Sequence, residues 1–203
     1  MTQHIYYKSQ HRFFDSLVAF TASIASLGIA LPAQANGNSS GYSPSDYLTL
    51  TGNPKISGIE FRFFPKNILS ALVNNTWPSG VVFEEYPINL APNTLQLNLT
   101  GLQRVHGAMI SNAFVKYYED NKLLVEGMYT TDRQNWPSVL NFGRVIRNAL
   151  AHKGCINFTN PNAAAVTWRS LTYSPLDNGR SILYHDLTAV ELIFLMEEMD
   201  ATI

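Results

Sequence analysis

Cysteine is nearly absent: Cys155 stands alone in 203 residues, which excludes an internal disulfide framework and a thiolate metal site and fits a reducing compartment. Charge is sparse as well. Only 14% of residues are Asp, Glu, Lys or Arg, the formal net charge is −1 and the pI is about 6.5, so no global basic field marks the chain for nucleic acid. Any such contact has to come from a local cluster. The five histidines are scattered, and no His/Cys/Asp/Glu group shows metal-ligand spacing. There is no Gly-rich phosphate loop, no serine nucleophile elbow and no internal repeat. No metal or cofactor is expected, which narrows enzymatic options to chemistry that His and Arg perform unaided.

What is present is enough apolar material, 46% of residues, to bury a sizeable core as a single domain over 1–203. The most informative stretch is 140–154, LNFGRVIRNALAHKG. Wound at about 100° per residue, it puts Phe142, Val145, Ile146, Ala149 and Leu150 on one side, and Asn141, Arg144, Arg147, Asn148 and His152 on the other. Such a helix has an apolar back for a core and a front that can hold a phosphate. Asn148 and His152 stack four apart, with Arg144 one turn earlier and Arg147 flanking them. Gly154 is expected as a left-handed C-cap, which places His152 in the last turn, where the helix terminus favours a protonated imidazole.

At these residues the chain resembles the HEPN superfamily, small helical domains many of which are RNA-cleaving toxins or defence effectors. Their hallmark of Arg, a polar residue, three variable residues and His reads here Arg147, Asn148, Ala149, Leu150, Ala151, His152. All three diagnostic positions match, a coincidence expected in roughly one chain in a hundred at ordinary residue frequencies. Arg180 and His185 have the same separation, but no Asn follows that Arg and the segment reads as a hairpin arm.

The resemblance implies a mainly α fold, a HEPN-like bundle of four to five helices with a small β-hairpin between the last two and an irregular insert over 36–99. It implies a metal-independent endoribonuclease in which Arg147, Asn148 and His152 are catalytic while Arg144, Asn141 and Lys153 contact RNA phosphates. RNA and not DNA is the expected partner, since the attack comes from the ribose 2′-OH. The reaction wants an acid and a base, and each chain brings one such histidine. Members of the superfamily pair their motifs across one cleft, so a homodimer is expected. In some HEPN toxins a tyrosine two residues after the histidine is modified by a silencing partner. Here Gly154 stands at that position, a departure that puts that mode of control in doubt but not the nuclease reading, and an antitoxin or regulatory partner stays among the expectations.

Along the chain, residues 1–35 read two ways. A polar, partly basic start, an apolar run over 17–31 and Ala-x-Ala before Asn36 are the pattern of a cleaved secretory signal, and the run is short for a membrane span. Yet Phe13, Leu17, Phe20, Ile24, Leu27 and Leu31 form a helical stripe behind Asp15, which fits a first bundle helix. The cytosolic habit of the resembled family favours the helix and a cytoplasmic protein; the signal would make it secreted. Residues 36–58 read as a surface connection, 59–64 as a short strand, Pro65–Val73 as a short helix, and 81–99 as irregular or carrying only short extended pieces because of Pro87 and Pro92.

A capping box at Thr100 is expected to open a helix with Val105, Met109, Ala113, Tyr117 and Leu124 as its stripe; its Arg104, His106, Lys116, Glu119 and Asp120 read as solvated positions in preference to a second active-site patch. Residues 165–173 and 181–184 read as hairpin arms about Asp177, Asn178 and Gly179. Thr188 with Glu191 forms a capping box, and Leu187 with Leu192 a staple, for the last helix. Two other classes remain: a catalytically inactive HEPN-like RNA-binding or dimerisation module, and an exported helical protein beginning near Asn36. In a purely structural reading Arg147 pairs with a carboxylate, such as one on the last helix, and His152 caps its own helix.

Overall fold

In the computed structural model, which describes residues 3–36, 41–88 and 100–203, the polar start of the chain is a strand, β1 (Gln3–Tyr7). It pairs antiparallel with β4 (Val81–Pro87), β4 with β3 (Ile59–Phe63) and β3 with β2 (Leu48–Thr51), giving the order β1-β4-β3-β2. Phe83 faces Ile5 on one side and Phe63 on the other. With a side-chain period of two, Tyr7, Leu50, Phe61, Phe63, Val81 and Phe83 are buried on one face. Arg62 on the other face pairs with Glu60 at 2.7 Å and lies 4.0 Å over the Tyr86 ring.

The fold is therefore mixed α/β, and the expectation of a mainly α bundle with an irregular 36–99 is corrected. Among the described residues five helices accompany this four-strand sheet and a two-strand one. The irregular reading failed at β2 and β4, which are short and are held by cross-strand pairing with β3 and, for β4, also with β1 far back in the sequence, not by local preference. Residues 89–99 lie outside the described ones.

Helix α1 (Phe14–Asn36) buries Phe14, Leu17, Val18, Phe20 and Ile24, along with Phe13 before it, and packs on α2 (Pro65–Val73) and α3 (Thr100–Tyr129). Residues 14–24 are thus part of the core. Among the described residues no helix is long and apolar enough to cross a membrane. Helix α3 buries Ile110, Ala113, Phe114, Tyr117, Tyr118 and Val125. Val105 and Leu124, expected on that stripe, are exposed, because the buried face turns gradually around a helix this long. The capping box expected at Thr100 lies outside the described side chains.

The last helix, α5 (Ala189–Asp200), is apolar almost all round, and it sits centrally against α3, α4 (Ser138–Ala151) and the sheet. Thr188 and Glu191 form the predicted capping box, and Leu187 and Leu192 are fully buried beside it. At the α4–α5 crossing Gly143 leaves room for the Met199 side chain, whose sulfur end would have to shift if a Cβ stood there. Between these helices lies a hairpin of β5 (Val166–Trp168) and β6 (Leu171–Tyr173). Its arms are not the expected ones: the chain turns at Arg169, with φ of 50°, while Pro175–Asp177 forms a 3-10 turn capped by Ser174. The hairpin covers the apolar back of α4, with Phe142 stacked on Tyr173 at 5.5 Å and beside Trp168 at 5.6 Å.

Candidate functional site

Helix α4 buries Leu140, Phe142, Val145, Ile146 and Ala149, which leaves Arg144, Arg147 and Asn148 half-buried along the seam with α3. It ends at Ala151. His152 is the C-cap residue, exposed, with φ of −124°, so it stands just beyond the last turn and not inside it. Lys153 and Gly154 both take left-handed φ, 65° and 72°, and the Gly154 N–H donates to the Ala149 carbonyl at 2.8 Å. The expected glycine cap is present. The left-handed turn begins one residue earlier than expected, which swings His152 out to solvent.

Arg147 is paired with Glu119 of α3, and its guanidinium donates to Asn148 Oδ1 at 3.2 Å. The carboxylate expected from the last helix thus comes from α3 instead. Arg144 is different. It has no ion pair among the described residues, and the Nε atoms of Arg144 and Arg147 are buried without a hydrogen-bond partner. Burial first, then the like charge of Arg133, lowers the proton affinity of Arg144, and Tyr118 partly offsets them. Burial pushes the Tyr118 hydroxyl up to about 12, against the pull of Arg144, Arg133 and Arg147. Asn141 does not join this group: its amide donates to the Arg133 carbonyl at 2.7 Å and the Trp136 carbonyl at 3.3 Å, fastening the turn before α4. Its amide nitrogen, expected at a phosphate, is thus engaged by backbone carbonyls at that turn.

Past Arg147 the seam opens into a cleft of 530 Å³ between α3, the end of α4 and residues 181–184. Arg104 and Lys153 line it, with Ser111, Asn112 and Tyr184. Lys153 therefore stands with another cation. The sequence reading missed Arg104, Tyr118 and Glu119 as neighbours of the motif. Their signal is a polar stripe at helical spacing on α3, and its meaning depends on the antiparallel packing of α4 against it. Of the mixed charges there, Lys116 and Asp120 do pair in solvent at 2.6 Å.

No family model, curated protein or solved structure matches the chain. Its own chemistry carries the functional reading. Among the described residues no three His, Cys, Asp or Glu side chains are grouped to hold a metal. The seam carries two half-buried guanidinium groups, the adjoining cleft is lined by Arg104 and Lys153, and His152 is exposed at the end of α4. Such an arrangement can hold a phosphodiester and move a proton beside it.

Proposed function

We propose that the chain is a metal-independent endoribonuclease using a HEPN-type motif, with His152 as acid–base group and Arg144 and Arg147 as phosphate holders. The resemblance is confined to α4 and its surroundings, because the sheet has no place in an all-helical plan. One observation carries the reading: Arg144 keeps a half-buried guanidinium with no counter-ion among the described residues, on the helix that ends in the exposed His152. A buried cation without an anion is costly, and a ligand phosphate would relieve that cost.

In the proposed reaction the 2′-OH proton passes to one imidazole, the O2′–P bond forms, the P–O5′ bond breaks and the leaving 5′-oxygen takes a proton from a second imidazole. Guanidinium donors hold the phosphate oxygens as charge builds on them. The second imidazole is His152 of another copy across a two-fold axis, which its exposure at the helix end permits.

The test is incubation of wild type and His152→Ala with mixed cellular RNA in EDTA, followed by end-group analysis. Fragments ending in 2′,3′-cyclic phosphate from wild type alone support the reading; equal cleavage by both sinks it. A second reading, RNA binding without cleavage, is favoured by the Glu119 carboxylate that already occupies Arg147. It predicts intact RNA with both proteins and equal binding by both.

A further inference from the structure

A second cleft, of 820 Å³, adjoins the first and shares Gln103 and Tyr184 with it as a common wall. Its lining includes the apolar Phe20, Ile24 and Leu50 and the polar Gln103, His106 and His185. His106 is half-buried and makes no hydrogen bond among the described residues. Burial lowers its proton affinity, so the neutral ring offers one donor and one acceptor nitrogen to whatever enters.

His185 is positioned from behind. Its Nδ1 lies 3.0 Å from Asp186 Oδ1, and that buried carboxylate is itself fixed by the Tyr173 hydroxyl at 2.8 Å and by Arg180 at 2.6 and 2.9 Å. Nε2 is the nitrogen left free for the cleft. Tyr184, the dividing wall, holds φ at 59°, a conformation bulky residues rarely adopt. Its ring rests on Gly107, where a Cβ would stand 3.2 Å from it.

We infer that this second cleft takes the nucleobase of a nucleotide whose phosphate lies between Arg104 and Lys153 in the adjoining one. The inference deepens the ribonuclease reading and rests on it for the choice of a nucleotide over other flat polar rings. A base has apolar faces to lie against Phe20 and Leu50 and a hydrogen-bonding edge for the two imidazoles. A purely apolar ligand would leave those imidazoles unpaired, and a bare phosphate would leave the apolar lining unused. The shared wall joins a cleft lined by apolar groups and imidazoles to a cationic one, which is the layout of a nucleotide.

The experiment is calorimetric binding of the four nucleoside 5′-monophosphates and of ribose 5-phosphate to wild type, His106→Ala, Gln103→Ala and Lys153→Ala. Thermal unfolding confirms that each variant is folded; Gln103 is exposed on the rim, so its variant keeps the test alive if His106→Ala misfolds. At least one nucleotide is expected to bind about tenfold tighter than ribose 5-phosphate, and His106→Ala or Gln103→Ala to remove roughly three- to tenfold of that, the size of one hydrogen bond. Ribose 5-phosphate is expected to be indifferent to those two changes and weakened by Lys153→Ala. Equal binding of sugar phosphate and nucleotides, no binding of either, or indifference of nucleotides to both cleft variants overturns the inference. No cleavage is read, so the two proposals fail separately. Base-dependent binding by a chain that leaves RNA intact keeps the cleft and removes the ribonuclease; cleavage without base-dependent binding does the reverse.

Discussion

At the start of α5 the side chain of Glu191 is fully buried, and each of its oxygens is occupied. One accepts from the Asn53 N–H at 2.8 Å and from the Ser57 hydroxyl, the other from the Thr188 N–H at 2.9 Å and its hydroxyl at 2.7 Å. At the α3–α4 seam the half-buried Arg144 has neither an ion pair nor a partner for its Nε among the described residues. Both are charges withdrawn from water, yet only one is satisfied from within. A charge whose bonds are all internal ties loop 52–58 to the helix and has no capacity left for a ligand. A charge left incomplete costs stability in the empty protein and recovers it when an anion arrives.

Several substitutions break or sharpen that contrast. The largest effect belongs to His152→Ala, which should lower RNA cleavage by about 10³-fold, the range of a lost acid–base group, with unfolding unchanged because the ring is exposed. Next comes Glu191→Ala. It should cost about 3 kcal/mol in urea unfolding by leaving buried donors unpaired, and should act on stability far more than on RNA affinity.

Asp186→Asn is smaller, about 2 kcal/mol at neutral pH for weakened charge-assisted bonds. Burial alone would raise the Asp186 pKa, but the hydrogen bonds from Arg180, His185 and Tyr173 outweigh it and hold the carboxyl below its usual range. Its contribution is thus complete above the ordinary aspartate value of about 3.9 and is lost as pH falls through the lower folded value. The gap between wild type and Asp186→Asn should narrow below about pH 4 for that reason.

Arg144→Met should leave the fold as stable or slightly more so, while reducing the slope of log affinity against log salt by about 1. Glu119→Gln should have the smallest effect, a rise in RNA affinity of about two- to threefold as Arg147 is released, the scale of a partly exposed ion pair. If Arg144→Met instead destabilised the protein as much as Glu191→Ala, the contrast between the two clusters would collapse.

How much of this was legible follows the range of the forces involved. Helix α2 begins at Pro65 and α5 at the Thr188–Glu191 box as their local signals say, because capping acts within four residues. Residues 59–64 read as a strand and β3 is Ile59–Phe63. Strand β1 was missed, and β4 was foreseen only as short extended pieces, because the two pair across the whole of α1 and α2. The hairpin was drawn about Asp177, Asn178 and Gly179, a good turn sequence that is used for a 3-10 turn instead. The real turn puts Arg169 in a left-handed conformation that no local preference announces. At the site, Arg147, Asn148 and His152 could be read from one helix. Tyr118, Glu119 and Arg104 could not, since they become neighbours only when α3 packs against α4.

The bonds that close the first strand and helix come from the last one. Tyr7 donates to Glu197 at 3.0 Å, Arg12 donates to Asp200 at 3.2 Å and to the Ile203 carbonyl at 3.1 Å, and Phe61 lies 5.1 Å from Phe194. β1 and α1 precede α5 in the chain, so these bonds wait until residues 189–200 have been made. Completion of the fold then waits for the last helix, and nascent chains stalled before α5 are expected to be the species that chaperones hold and proteases remove.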